Sequence, residues 1–422
     1  MQYPPRLLSE STYCGTQRAA STRHHEREGG AGVQIVDIVV LVLLVVAIIV
    51  GFQRGLLASL GTLVGLGIGA VAAYWLIPLV TAAMPWPIWR ALAALAATVV
   101  LLTGCAALGS AAGNALRRGV DRTPLRRVDR VLGGGLTVVA AALAVSLVGS
   151  GLAATGTPVI STAIASSRVL TVIESVVPRP LQAGLAELRG AVLGDAIPTL
   201  GGLLLPGTAV VEPPVRLDDP ELAEAAASVA RITGVAYACG ISSSGSGFVI
   251  AEDRVVTNAH VVAGVDQPVV ELPGQEARDG KVVYFDPAGD IAVIAVDDLD
   301  AAPLDVVPVL SPGAAAAVQG YPHGGPFESM SAAVLAVGTV PVPDIYDGSS
   351  TLREIYTLDA DVRPGNSGGP LLTADGDVAG LVFARGGDQE SRGYASTSTE
   401  LASIVAGSAG WQSPVSSGTC TR

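Results

Sequence analysis

The sequence predicts a multi-domain chain, a four-span α-helical membrane block followed by an all-β domain. Three observations lead there. Of 422 residues, 50% are hydrophobic and 15% charged, and the mean hydropathy of +0.52 is too high for an ordinary soluble chain of this length, so part of it belongs in lipid. Four long apolar runs fall within residues 33–153. Beyond residue 227 the pattern changes to many short apolar or alternating runs punctuated by Gly, Pro, Asp and Ser, as the strands of a β-sandwich or barrel do. The formal charge of −12, with no basic stripe, argues against a nucleic-acid partner.

Residues 1–32 are polar and lack the apolar core of a signal peptide, so they read as a disordered tail. His24 and His25 lie too far from Cys14 to make a recognisable metal site, and no metal or cofactor is expected. The membrane block covers 33–153, with spans over 33–52, 56–76, 88–108 and 131–152, each near the roughly 20 residues that cross a bilayer. Gly61, Gly65, Gly67 and Gly69 in the second span allow a close helix neighbour. Trp86 and Trp89 suit the interface, and Cys105 in the third span reads as a small packing residue. Arg117, Arg118, Arg122, Arg126, Arg127 and Arg130 make the loop between the last two spans the most basic, which places it in the cytoplasm with Arg54. The N-terminal tail and everything after the fourth span then lie outside, although the tail's own arginines argue the other way. Asp37 admits a proton or solute path, but it stands near a span end, within reach of the interface. Residues 154–227, with scattered prolines, read as an extracytoplasmic spacer: one or two short amphipathic helices over 167–188, then an extended linker over 206–220 that is open to cleavage.

Residues 228–422 are organised around Arg363-Pro364-Gly365-Asn366-Ser367-Gly368-Gly369-Pro370, one serine among glycines and prolines. Glycine reaches dihedrals closed to other residues, so such a loop lets N–H groups converge beside an exposed hydroxyl and form an oxyanion hole. The segment also fits the G-x-S-x-G elbow, whose triad runs serine, acid, histidine. That order is impossible here, because all four histidines, at 24, 25, 260 and 323, precede Ser367. The order histidine, acid, serine remains. His260 ends an apolar run at Val255-Val256-Thr257-Asn258-Ala259, whereas His323 sits in a Pro/Gly turn. Asp290 opens the apolar run 291–296, a strand mouth from which a carboxylate can face an imidazole; its rival Asp286 precedes Pro287 and reads as a turn residue.

Thr257-Asn258-Ala259-His260, Asp290-Ile291-Ala292-Val293 and Gly365-Asn366-Ser367-Gly368-Gly369-Pro370 resemble the three triad blocks of trypsin-like serine proteases, particularly the HtrA/Deg branch, and Gly245-Ser246-Gly247-Phe248-Val249-Ile250 resembles the strand preceding the histidine block. With the triad order, the all-β domain is expected to be a chymotrypsin-like double β-barrel with its site in the crevice between barrels. The resemblance implies acyl transfer: Ser367 attacks a peptide carbonyl, His260 moves the proton, Asp290 orients the imidazole, and the N–H groups of Gly365 and Ser367 bind the oxyanion. It also places Val382, Phe383 and Ala384 at one wall of the specificity pocket, though Phe383 also suits a core. Asp361, six residues before the serine, holds by count the position that gives trypsin its basic preference. Asn366 stands where many relatives carry the Asp that pairs with a freshly cut N-terminus, so that activation route is not expected.

In an exported domain Cys239 and Cys420 are expected to pair. The four-span block resembles the colicin V production (CvpA) membrane domain, and the combination resembles the MarP-type membrane-anchored serine proteases of the actinobacterial envelope. That resemblance implies a periplasmic endopeptidase acting on envelope proteins or peptides under acid or oxidative stress, with the lipid bilayer as its other partner. The competing reading is a noncatalytic envelope scaffold or transporter whose protease-like domain only binds. Oligomeric state is not legible.

Overall fold

The computed structural model describes residues 35–83, 87–120, 126–153, 164, 167–193, 197–200, 212–239, 241–387 and 391–421. The tail read over 1–32, Trp86, Arg122 and the first part of the 206–220 linker lie outside them. Two compact units result, one over Asp37–Ser146 and one comprising the residues from Leu147 onward.

In the first unit, α1 (Ile35–Arg54), α2 (Leu56–Ala83), α3 (Pro87–Val120) and α4 (Arg126–Ala153) each carry a stretch long and apolar enough to cross a membrane. Helix α3 contains the run expected over 88–108 and continues to Val120, and α4 starts at Arg126, ahead of the run expected over 131–152. Most of the basic "loop" is therefore helix end. A helix satisfies its own backbone and need not stop where the apolar run stops, while long arginine stems carry their charge to the interface. The second-span glycines do pack: a Cβ on Gly61 would strike the backbone of Gly109, one on Gly65 that of Cys105, and one on Gly69 would lie 3.0 Å from Leu101 O, whereas Gly67 faces no atom within 4 Å. One polar knot escaped the sequence reading. Asp129 on α4, 7% exposed, accepts the Leu57 N–H at 3.3 Å and lies 3.4 Å from Arg117 Nε on α3. Arg117 also donates to the carbonyl of Gln53 at 2.9 Å, so α3 and α4 supply the groups that satisfy the break between α1 and α2 at Gly55.

The second unit starts with α5 (Arg168–Val176), whose N-cap Ser167 accepts the Leu170 N–H, then α6 (Arg179–Leu193), β1 (Thr199–Leu200) and α7 (Pro220–Ala226). The strands follow: β2 (Val229–Ala236), β3 (Ile241–Ala251), β4 (Arg254–Thr257), the one-turn α8 (Ala259–Val262), β5 (Val269–Glu271), β6 (Arg278–Asp279), β7 (Lys281–Asp286) and β8 (Ile291–Ala295). These form a seven-stranded sheet in the order β6-β5-β2-β3-β4-β8-β7. Then come β9 (Ala315–Gly320), β10 (Glu328–Pro343), β11 (Ser350–Asp359), β12 (Pro370–Leu372), β13 (Val378–Gly386), β14 (Arg392–Thr397) and α9 (Ser398–Ser408). The second sheet runs β1-β13-β12-β9-β10-β11-β14 and closes on itself through β13–β14. Closure removes the open edges that an all-β domain must otherwise protect. Each sheet encloses its own apolar cluster, Ile232, Val255 and Ile294 in the first, Val318, Tyr356 and Leu371 in the second. A third cluster joins Phe248, Val293, Leu372 and Leu381 between them.

The sequence reading missed β5, β6 and β12, whose two or three residues are too few to show a period, and α9, whose buried Leu401 and Ile404 are a short signal in a polar stretch. The stretch read as a spacer is partly built into this unit. Helix α6 packs on the turn Pro322–Gly324, with Ala186 against Gly325, and β1 pairs in parallel with β13, Thr199 opposite Arg385 and Leu200 opposite Gly386.

Cys239 and Cys420, 181 residues apart, form a disulfide. The C-terminal tail it holds runs along the first sheet, with Val415 N–H donating to Val282 O at 2.8 Å and Gly264 N–H to Ser417 O at 3.0 Å. Tyr346 Oη adds a bond to Thr419 O at 3.0 Å and accepts the Thr419 N–H at 3.1 Å, so the cross-link reinforces a short series of hydrogen bonds. Closing so long a loop stabilises by about 5 kcal/mol in the chain-entropy account. Replacing both cysteines with serine is expected to lower unfolding stability by up to that amount, read by denaturant unfolding under oxidising conditions, with reduction having no further effect.

Candidate active site

Each predicted group sits on a turn at a strand end. Thr257 closes β4 and α8 begins two residues later, with Asn258 as its N-cap, so the chain swings His260 off the sheet edge. Asp290 stands just before β8, 3% exposed, at a left-handed φ of 53°. A non-glycine residue held there is strained and must be restrained by its surroundings. Two bonds do that: Asn258 Nδ2 donates to the Asp290 carbonyl at 2.8 Å, and the His260 N–H donates to Asp290 Oδ1 at 3.0 Å. The carboxylate then meets the imidazole, His260 Nδ1 lying 2.8 Å from Oδ2 and 3.0 Å from Oδ1. An anion buried against Nδ1 keeps the proton there and leaves Nε2 as the acceptor. His260 Nε2 and Ser367 Oγ are both buried, and neither has a hydrogen-bond partner among the described residues.

The loop carrying Ser367 is bound along its backbone. His323 N–H donates to Pro364 O, Asn366 N–H to Arg363 O, Gly369 N–H to Asn366 O and Gly368 N–H to Val382 O, while Asn366 Oδ1 accepts from Arg363 N–H. Gly365 at φ 92° and Gly368 at φ 84° adopt backbone open to glycine, and a Cβ at either would strike neighbouring backbone. The N–H groups of Gly365 and Ser367 donate to nothing among the described residues. His323, in its turn, contributes its backbone N–H to that loop.

A cavity of about 290 Å³ opens beside the dyad, lined by His260, Asp290, Arg353, Phe383, Leu200 and Val342 among others. Phe383 is both wall and core: it is 2% exposed and packs with Leu200, Ile355 and Tyr394. Val382 and Ala384 are fully buried, and Val382 serves through its backbone bonds to Gly368 and Gly369. Arg353, absent from the sequence reading, lies 4.5 Å above the Phe383 ring and donates to Ser396 Oγ at 2.7 Å. Burial pushes its guanidinium pKa down, while the carboxylates of Asp290, Glu400 and Asp286 pull it up. Asp361 is exposed, is not among the residues lining this cavity, and pairs with Arg363, two residues away in the same loop, which also reaches Glu328 at 3.5 Å.

A trypsin-like peptidase domain family matches residues 245–381, and the colicin V production protein family matches residues 36–178. Serine protease Rv3671c of Mycobacterium tuberculosis H37Rv is 33% identical over 393 residues, which is 92% of this chain and 98% of that one. The chain belongs to this serine protease family. A probable periplasmic DegP-like serine endoprotease of Halomonas elongata is similar over a smaller part, 35% identical across 34% of this chain and 31% of its own. Among solved structures, the active form of the Rv3671c protease is 35% identical and covers 53% of this chain and 100% of its own, with a TM-score of 0.49.

The protease is thus a serine endopeptidase of trypsin-like type carrying a CvpA-type block of apolar helices. Its least legible parts were Asn258, which lay inside a quoted motif without a role, and Arg353, which nothing in its neighbourhood marked. Asp290→Asn keeps the shape of the carboxylate but removes the charge that selects the Nδ1 proton. A fall in kcat on the order of 10⁴ is expected, measured per titrated active site. Asp361→Asn should shift the preference between basic and neutral peptides less than about threefold, against the tenfold-per-1.4 kcal/mol scale of a buried charge pair.

Proposed function

We propose that the protein is a membrane-tethered, extracytoplasmic serine endopeptidase that cleaves cell-envelope proteins through an acyl-enzyme. The observation that carries this is the pair of leftover groups: the buried hydroxyl of Ser367 and the buried Nε2 of a His260 already paired with Asp290, both without a partner among the described residues. Buried polar atoms are normally bonded, and orphans concentrate where chemistry is done. Ser367 adds to the peptide carbonyl, His260 Nε2 takes the hydroxyl proton and returns it to the leaving amine, and Asp290 holds the imidazole and balances its charge. The free N–H groups of Gly365 and Ser367 receive the oxyanion, each worth roughly 3–4 kcal/mol in comparable sites. Water then repeats the cycle on the acyl-enzyme.

Sidedness rests on two supports. Arginine collects at the facing ends of α3 and α4, with Arg54 at the end of α1, which puts those ends in the cytoplasm and the chain after α4 outside. The Cys239–Cys420 disulfide belongs in an oxidising compartment. The family resemblance supplies the circumstance, acid or oxidative stress in the envelope.

A fluorophosphonate should label the intact protein stoichiometrically and should not label Ser367→Ala; a folded protein that resists the probe would leave only a binding role.

A further inference from the structure

We propose that Ser246 is a positioning residue of the oxyanion hole, gripping the nucleophile loop at the two carbonyls, of Gly365 and Ser367, that bracket the nucleophile. The inference rests on the serine protease reading above and deepens it. Strand β3 outruns its neighbour: it pairs with β4 only from Phe248 to Ala251, so the edge at Ser246 is left open on that side. The nucleophile loop docks there. Ser246 N–H donates to Ser367 O at 2.8 Å, and Ser246 Oγ donates to Gly365 O at 2.7 Å. The same oxygen accepts the Tyr321 N–H at 2.9 Å, which sets the start of the turn whose His323 N–H holds Pro364 O. Thr257 Oγ1, on the residue before the N-cap of α8, donates to Ser246 O at 2.7 Å.

Each bond has a consequence for direction. A peptide N–H points opposite to the carbonyl of its own plane. Fixing Pro364 O therefore aims the Gly365 N–H, while fixing Gly365 O and Ser367 O sets the planes of the Asn366 and Gly368 N–H groups, which flank the plane carrying the Ser367 N–H and restrain it from both sides. The hydroxyl has one proton, given to Gly365, so its lone pairs are what remain for Tyr321. Ser246 is fully buried, and no water competes for these bonds. Its flanking glycines are required by the fit: a Cβ on Gly245 would lie 2.6 Å from the Val261 side chain and 3.1 Å from Ser367 O, and one on Gly247 would lie 2.6 Å from Ile232. Alanine at 246 leaves a buried carbonyl without its donor and a buried N–H without its acceptor, both on the segments that aim the oxyanion donors.

The test compares the full-length protein in detergent with Ser246→Ala and Ser246→Cys, rates being expressed per active site titrated with fluorophosphonate. For Ser246→Ala a loss of about 10- to 100-fold in kcat is expected, with KM within about twofold, below the loss from deleting a donor outright. Affinity for a peptide boronate, whose tetrahedral oxygen sits where the oxyanion forms, should fall by a similar factor, while that for an uncleavable ground-state peptide stays. Cysteine, nearly isosteric with a weak S–H donor, should fall between. Unchanged kcat and boronate affinity per site, whatever the melting temperature, would reduce Ser246 to a structural residue. If Ser246→Ala yields no titratable sites, the boronate-to-peptide affinity ratio of Ser246→Cys decides: a fall supports the assignment and an unaltered ratio overturns it. A wild-type protein that takes no label would instead remove the protease reading beneath it.

Discussion

The site depends on an edge of β3 left unpaired. A loop with a nucleophile at its apex must bury part of its backbone, and buried N–H and C=O groups need partners. Here the partner is a strand of the opposite sheet, with Ser246 giving its N–H to Ser367 O and its hydroxyl to Gly365 O. The closeness of that approach explains the glycines around it. Gly365 and Gly368 take left-handed backbone, and Gly245 and Gly247 make room, so the two sheets meet backbone to backbone at the place where chemistry occurs.

The charge relay is held from the other side. Asp290 is a buried anion at a strained φ, an arrangement that survives only when several bonds over-determine it. Asn258, the His260 N–H and the imidazole together do so, and the buried Arg353 adds its charge to the field around the carboxylate. Strand β8 and the one-turn helix α8 are therefore restrained by the same contacts that align the dyad.

Two segments that look dispensable in the sequence are structural. The stretch between the apolar helices and the first barrel strand contributes β1 to β13 and lays α6 on the turn that braces Pro364. The C-terminal tail lies along the first sheet and is tied by Cys420 to Cys239. The first also sends Leu222 and Ala225 of α7 into the core between the sheets, whereas β1 is a two-residue pairing and the tail is held by isolated hydrogen bonds and a cross-link. Neither a two-residue strand nor such a tail leaves a repeating mark along the chain.

Local chemistry was legible wherever one residue type could do the work. Apolar runs announced helices because lipid admits little else, the glycines of the second span announced a close helix neighbour, and the position of all four histidines before Ser367 left histidine, acid, serine as the order open to a triad. Partnership was not legible, because it is decided by which edges fold against each other over long separations. Sequence distance gave Asp361 a place in the pocket, whereas the folded loop hands its carboxylate to Arg363. Ser246, 121 residues before Ser367, lay in a block that marked the family likeness but named no partner for it, and only the docking of two sheets brings it against the loop that carries Ser367. A hydrogen bond has a range of about 3 Å, and nothing in the order of a chain says which groups will come that near.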